Sequence, residues 1–564
     1  MSEQLTFSFK VQKDKASGLS PEEKERYKEL LRHKLSELKK IEGFPLGEDE
    51  DILALSDPPF YTACPNPFID EFIRKWEWEK HLLHHLEGMT DTEGRNITAE
   101  TFDEKKCLKC IERDKNYHRE PFTADVSEGK SHPIYNAHSY HTKVPHKAIM
   151  RYILHYTEPG DIVFDGFCGT GMTGVAAQLC GDRKAVEELG YEVREDGTIL
   201  APVEDNGKSV LKPISKLGAR KAILNDLSPA ATFIAYNYNT PVDALEFERE
   251  AKRILVEVQK ECGWMYETQH TIDGKVQKDL SGKPEIGKIN YTVWSDVFVC
   301  PECASEIVFW DAAVDKDKGE VREEFPCPGC GAALTKRQMD RACETKYDKA
   351  IKETVKQAKQ VPVLINYTVG KKRYEKKPDD FDLELIGKIE QMEIPYWVPT
   401  NRMPEGDESR RNDKMGITHV HHFYTKRNLW VLASINEKKK EAFSDDLIQF
   451  WINAALRYLS IMSKLGTEYY FHGGGGAVNA GVLGTLYIPS FSVENNVIET
   501  LALRLKKLSK VIMSIPLYGG FIETSSVSKS LIPFNSIDYI FTDPPFGGNL
   551  MYSELNLGYR NFHF

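Results

Sequence analysis

The chain has 564 residues, is 41% hydrophobic and 28% charged, and carries a net charge of −11. Those values suit a globular chain of two to four domains at about 150 residues each, and they exclude a disordered polymer and a protein coated all over in positive charge. No apolar run of about 18 residues predicts a membrane span, and the N-terminus (MSEQLTFSFKVQKDK) lacks the basic-then-apolar build of a signal peptide, so the expected setting is the cytoplasm.

Ser20, Pro21 and Glu23 form a capping box that opens a helix predicted over 20–42, with Gly43 and Pro45 ending it. Residues 44–125 are mixed and rich in Trp, Phe and Pro, so 1–125 is expected to be a helical and irregular N-terminal region. Inside it, Asp57-Pro58-Pro59-Phe60 follows only a short apolar run, and Cys107-Leu-Lys-Cys110 reads as a plain pair of thiols with His118 as a loose partner. A helix (145–157), strand (161–165), helix (171–180), strand (220–226) and helix (228–238) then alternate as in an α/β domain. A polar excursion at 182–217 interrupts them. Residues 126–242 are the first half of that domain, and 243–500 reads as a large insertion. A helix over 494–512 leads into the apolar run 536–543, which opens a second half at 501–564.

The loop between strand and helix is Asp165-Gly-Phe-Cys-Gly-Thr-Gly-Met-Thr-Gly174, a G-x-G-x-x-G pattern at Gly169, Gly171 and Gly174. Glycines there let the backbone turn tightly and let a ligand approach without a Cβ in the way. A carboxylate at Asp165 would repel a dinucleotide's pyrophosphate but attract the ammonium of a methionine moiety, which favours S-adenosylmethionine over NAD. The cofactor is expected across Asp165, Phe167, Gly169 and Gly171. Asp226 ends the second strand and is positioned to accept hydrogen bonds from ribose hydroxyls. It lies 52 residues beyond Gly174 (226 − 174), against a usual spacing of about 20, and the excursion accounts for the excess.

Eleven cysteines in a chain without a leader read as reduced thiols, metal-bound where spacing permits. Cys300-Pro-Glu-Cys303 and Cys327-Pro-Gly-Cys330 are two C-x-x-C knuckles of the kind that hold a structural zinc, giving a ribbon at about 295–335 that ties together an insertion with too little core. Residues 335–377 then carry 13 Lys or Arg against 5 Asp or Glu. This stretch reads either as a groove for the DNA backbone or, over 346–359, as a solvated helix face. His419, His421 and His422 read as surface imidazoles, and Gly473 to Gly476 as a loop.

Asp543-Pro544-Pro545-Phe546 follows the apolar run 539–542, which places it at the carboxyl edge of a strand, where open α/β sheets bind ligands. An exocyclic amino group is a poor nucleophile because its lone pair is delocalised into the base. The Asp543 carboxylate and the Pro544 carbonyl can both accept its hydrogens, which localises that pair. Pro544 and Pro545 fix the backbone, and Phe546 offers a face for a base removed from the helix.

DIVFDGFCGTG followed by TDPPF resembles the amino-directed DNA methyltransferases, which form N6-methyladenine or N4-methylcytosine. Tyr140-His-Thr-Lys-Val-Pro-His-Lys-Ala148 resembles the family's further cofactor motif, through Thr142, Lys143 and Pro145. The resemblance implies a doubly wound, Rossmann-like methyltransferase sheet split by the zinc-ribbon insertion, an S-adenosylmethionine cofactor and a DNA partner. It also implies a bacterial or archaeal restriction-modification or defence setting. Asp543 is preferred over Asp57 as the catalytic acid, because Asp57 would put DPPF ahead of the glycine loop and invert the motif order. Only 18 residues follow Phe546, which predicts a truncated or split enzyme completed by a second polypeptide, or a component that binds cofactor or DNA without catalysis. RNA is the alternative substrate, because DPP motifs also serve RNA amino methylation.

Overall fold

The structure is a computed structural model that describes residues 19–84, 91–98, 101–103, 107–140, 143–205, 208–440, 442, 445–473, 476–515, 520–545, 547 and 550–560. It divides into two compact units, 1–244 with 509–546 and 245–508 with 547–564. Among the described residues no helix is long and apolar enough to cross a membrane.

The first unit is built on five strands: β1 (Tyr61–Thr62), β2 (Ile162–Asp165), β3 (Lys221–Asp226), β4 (Phe521–Thr524) and β5 (Tyr539–Ile540), in the spatial order β1-β4-β3-β2-β5. All four pairings are parallel, so every strand ends at the same edge of the sheet. Six helices belong to this account: α1 (Pro21–Leu38), α2 (Ile69–His84), α3 (Leu108–Asn116), α4 (His146–Tyr156), α5 (Met172–Leu179) and α6 (Pro229–Asn239). The capping box at Ser20 and Glu23 forms in both directions, and α1 ends four residues earlier than the pattern predicts.

Residues 1–125, expected as a separate region, are part of this unit. Their short strand β1 extends the sheet, and α2 presents Ile69, Phe72, Ile73 and Trp76 to Ile162, Ile223 and Phe521. Phe521 is the centre of that contact, 4.7 Å from the Phe72 ring and 5.0 Å from Trp76 edge to face. Burying side chains of this size stabilises by about 1.5–3 kcal/mol each, which explains why the Trp- and Phe-rich stretch cannot stand apart from the sheet.

The excursion after α5 folds as its own small antiparallel sheet, with strands Thr198–Asp205 and Lys208–Lys216 at its centre. Arg220 closes it. Its buried guanidinium donates to Thr157 Oγ1 (3.0 Å), Thr157 O (2.7 Å) and Ser215 Oγ (2.9 Å), fastening the excursion's exit to the C-cap of α4. The chain therefore re-enters the sheet at β3 beside the strand it left.

The second unit has a different logic. A 14-residue strand, Ile286–Val299, pairs antiparallel with Gln360–Val369 on one side and Phe491–Asn495 on the other. A buried ion pair, Arg427 with Glu494, anchors this sheet: Arg427 Nε donates to Glu494 Oε1 at 3.0 Å and Trp294 Nε1 to Oε2 at 3.1 Å. The far end of the long strand runs directly into Cys300. There Phe298, Ile307, Phe309, Trp310, Phe325 and Leu334 form a buried cluster with Cys300 and Cys327. The cysteine module thus rests on a substantial core, where an insertion with too little core was expected.

Residues 547–564, expected with the catalytic half, also group with this unit. Glu554 Oε2 accepts from Ser409 N at 2.5 Å, and Leu555 packs with Met403, Met415 and Leu486.

Candidate active site

β2 ends on Asp165, and α5 starts at Met172 after the glycine turn. Gly169 (φ +50°) and Gly171 (φ +73°) occupy the left-handed region, where an L side chain costs about 1–2 kcal/mol. At Gly171 a Cβ would also stand 2.6 Å from Asn239 Nδ2 and 2.7 Å from Ala235 Cβ on α6, so close packing requires glycine a second time.

The loop is held from the neighbouring strand. Cys168 N donates to Asn225 O (2.9 Å), Asn225 Nδ2 to Gly166 O (3.2 Å) and Gly169 N to Asp226 Oδ2 (2.9 Å). The other oxygen of Asp226 accepts from Ser228 N at 2.9 Å. Despite a separation of 57 residues, Asp226 is bonded directly to the glycine turn.

Asp165 is buried; its Oδ1 accepts from Phe167 N at 3.1 Å and its Oδ2 from Thr173 Oγ1 at 2.5 Å. Burial pushes its carboxyl up to about 7, against the opposing pull of those two bonds, and the charges of Asp226 and Asp543 add to the rise. Burial raises Asp226 as well, against the bonds from Ser228 and Gly169. Two buried carboxyls, one of them raised further by the neighbouring acids, suit a cation and oppose an anion.

β5 lies directly beside β2, with Val163 opposite Tyr539 and Phe164 opposite Ile540, and Phe541 N donates to Phe164 O at 3.0 Å. Asp543 comes three residues past β5, at the sheet edge where Asp165 and Asp226 end their strands. Asp543, Pro544 and Pro545 are exposed. Phe546 and Thr142 lie outside the described residues.

Asp57-Pro58-Pro59-Phe60 has the opposite placement. It precedes β1, so it stands at the amino edge of the sheet, with Asp57 and Tyr61 joined by two backbone bonds of 3.0 and 3.1 Å. The Asp57 carboxylate accepts from Tyr236 OH at 2.7 Å and from Lys24 Nζ at 3.2 Å.

Lys143 does not present a free ammonium. It donates to Tyr135 O and, at 2.7 Å, to His138 O, and it lies 4.3 Å from the centre of the Tyr135 ring. Burial lowers it to about 7. Pro145 caps α4.

Two features escaped the sequence reading. Leu227, 64% exposed, follows Asp226 and with half-exposed Phe167 gives the loop apolar surface; an apolar residue wedged between a strand-end acid and the Ser228-Pro229 cap was the available signal. The second is Lys80 of α2, whose buried ammonium donates to Asp538 at 2.9 and 3.1 Å and stands 3.8 Å from Asp161. Asp538 in turn accepts from Ile162 N at 2.8 Å, so one cation pins the starts of β5 and β2 together. No sequence period links residues so far apart. Asp161 is pushed up to about 6 by burial and then by Asp538. Lys80→Met therefore takes the nearest counter-charge from two facing carboxyls and is expected to cost about 3–5 kcal/mol in denaturant unfolding. Without the ammonium the Asp161 carboxyl resists ionisation further, so the loss grows as pH rises from the ordinary carboxylate range through 6; a wild-type midpoint at pH 8 would contradict the assignment.

In the second unit, the Sγ atoms of Cys300, Cys303, Cys327 and Cys330 all lie within 4.8 Å of one another, with 300–330 at 3.9 Å and 303–327 at 3.8 Å. The two knuckles repeat one hydrogen-bond pattern. Cys300 N donates to Ser305 O and Ala304 N to Cys300 O (both 2.9 Å), matched by Cys327 N to Ala332 O (2.8 Å) and Gly331 N to Cys327 O (2.9 Å). With metal–sulfur bonds of about 2.3 Å, the edge of a thiolate tetrahedron is about 3.8 Å, so the four sulfurs fit a single tetrahedral ion.

The basic stretch after the knuckles is not helical. Cys343–Asp348 and Glu353–Ala358 form a two-stranded antiparallel hairpin that exposes Lys346, Tyr347, Lys349, Lys352 and Lys356. Tyr367 is fully buried, so it belongs to packing. His421 and His422 are buried too, in place of the expected surface imidazoles: each donates from Nε2 to Asp348 Oδ2, at 2.8 and 2.9 Å, which ties the hairpin to their turn. His422 Nδ1 accepts from Thr418 N at 3.2 Å, which leaves its Nε2 carrying the proton and unsuited to a metal.

Residues 20–199 match a family model, N6_N4_Mtase, described as DNA methylase. No curated protein and no solved structure matches the chain. The matched span contains Asp57-Pro58-Pro59-Phe60 and the glycine loop and ends before Asp226 and Asp543. Over that segment the chain is similar to the DNA methylases of that model.

Proposed function

We propose that the chain transfers a methyl group from S-adenosylmethionine to an exocyclic amino group of DNA, N6 of adenine or N4 of cytosine, on a Rossmann-like sheet. The observation that carries this reading is the direct parallel pairing of β5 with β2, which brings Asp543 to the edge where Asp165 and Asp226 flank the glycine turn. The residues fit the cofactor. The turn lacks side chains at its left-handed positions, the surrounding carboxylates suit a cation, and exposed Phe167 and Leu227 offer apolar faces for a base ring. When bound, the cofactor supplies an electrophilic methyl on a sulfonium.

In this reading Asp165 takes the ammonium of the methionine moiety, and Asp226, which still has lone pairs beyond its two bonds, takes the ribose hydroxyls. Asp543 and the Pro544 carbonyl accept the two hydrogens of the target amino group, aiming its lone pair at the methyl. Asp543 need not be a strong base, because the proton can leave after transfer. Phe546 stacks the flipped base. The four thiolates of Cys300, Cys303, Cys327 and Cys330 hold a structural zinc, and the basic hairpin 343–358 meets DNA phosphates. A bacterial or archaeal cytoplasmic setting, as part of restriction-modification or defence, accompanies this reading.

Cofactor affinity should follow the Asp165 carboxyl. Because its pKa stands near 7, above the ordinary carboxylate range, the charged form that binds the ammonium is lost as pH falls below 7. Calorimetric titration with S-adenosylmethionine is expected to show affinity falling about tenfold per pH unit below that point, with Asp165→Asn weaker and flat across pH. A pH-independent affinity in the wild type would remove Asp165 from the ammonium site.

A second reading makes Asp57 the catalytic acid. The family match favours it, because the matched span includes Asp57 and stops short of Asp543. Methyl transfer by Asp57→Ala and Asp543→Ala separates the two, and analysis of the modified base in the product distinguishes adenine from cytosine.

A further inference from the structure

We propose a second metal site, formed by His81, Cys107 and Cys110 and filled by zinc, which ties α3 to the last turn of α2. The three ligand atoms lie within 4.8 Å of one another, and His81 Nδ1 is 3.3 Å from Cys110 Sγ. With zinc–sulfur and zinc–nitrogen bonds of about 2.3 and 2.1 Å, the S···N edge of a tetrahedron is about 3.6 Å, so the group falls within one coordination shell. His118, the partner suggested by proximity in sequence, is instead exposed and paired with Glu120 at 2.8 Å.

Burial separates this group from an ordinary pair of core thiols. Among the residues of 91–133 whose side chains are described, Cys107 and Cys110 alone are buried, each about 1% exposed. Among its described residues the segment has no other buried apolar side chain. Residues 117–128 rest on α4, through Phe122 against Tyr152 and His155 and through the Glu128–Arg151 ion pair. At α3 the inward contact is instead a pair of soft ligands against an imidazole that is itself buried and packed by Trp78 and Phe102. Two thiols bury too little area to fix α3 against α2, whereas a metal clip does so without a core.

Cys107 is the N-cap of α3 yet makes no side-chain capping bond, and Cys110 lies one turn later, so both sulfurs are carried by the same helix end toward His81. Both cysteines are free of disulfides. On binding, two Zn–S bonds replace two S–H bonds, the thiol protons pass to solvent, and the neutral imidazole donates its lone pair. The protein supplies three donors, one nitrogen and two sulfurs.

The test is the metal content of the full chain, expressed with zinc and dialysed, measured by mass spectrometry. Two zinc per chain are expected. Cys300→Ser with Cys303→Ser should leave one, and Cys107→Ser with Cys110→Ser should independently leave one. One zinc or none in the wild type, or a count unchanged by the Cys107 and Cys110 substitutions, overturns the site. A measurement on the unsubstituted chain guards against misfolding of the variants: iodoacetamide should label Cys107 and Cys110 in native protein only after a chelator is added. Equal labelling with and without chelator also overturns it.

Discussion

Asp543→Ala is expected to lower the rate of methyl transfer by about 10³-fold or more, while Asp57→Ala leaves the rate per folded molecule unchanged. The two acids share a tetrapeptide and differ in what their carboxylates already do. Asp57 is engaged by Tyr236 OH and Lys24 at the amino edge of the sheet, so removing it strands a mostly buried phenol and should cost about 1–3 kcal/mol of stability. Asp543 is exposed at the carboxyl edge, beside the strand that carries the glycine turn, so its removal should leave the unfolding midpoint unchanged. The comparison therefore needs rate and stability for both variants. Loss of transfer with Asp57→Ala at an intact midpoint, together with an active Asp543→Ala enzyme, would move the catalytic role to the first tetrapeptide, which lies inside the matched span.

Removal of metal from the four-cysteine cluster should have the second large effect. A structural zinc contributes on the order of 10–16 kcal/mol where it is the whole reason for folding. Here the knuckles rest on a buried cluster that includes Phe298, Phe309, Trp310, Phe325 and Leu334, and the long strand Ile286–Val299 reaches them with its pairing intact. Chelation is therefore expected to loosen residues 300–335, where hydrogen exchange would quicken, while Ile286–Val299 stays protected. A site bound only by chance would give no change in exchange, and a module that depended wholly on zinc would lose protection along the long strand as well.

The glycine turn, the strand-end acids and the cysteine knuckles could be read from the chain because each is a local device. A left-handed turn needs glycine, a strand ending on a carboxylate is a short apolar run, and a C-x-x-C knuckle closes within a few residues. The capping box at Ser20 is of the same kind. By contrast, the stretch 346–359, for which a solvated helix face was one of two readings, is a hairpin, because lysines at helical spacing are equally the exposed positions of a two-stranded ribbon when nothing is buried to fix the period. His421 and His422 looked like surface residues since their partner, Asp348, is more than seventy positions away.

What stayed hidden along the chain was mainly neighbourhood. Two identical DPPF tetrapeptides differ because one precedes β1 and the other follows β5 in a sheet whose strands all run the same way, a difference of edge that no local pattern carries. The pairing of β5 with β2, the pin from Lys80 to Asp538, and the meeting of His81 with Cys107 and Cys110 all depend on long-range packing. Chemical type and local conformation were legible in residue order, since they rest on side-chain chemistry and backbone sterics over a few positions. Which of those groups share a site depended on the strand order, set by burial of the apolar faces around Phe521 and Ile162.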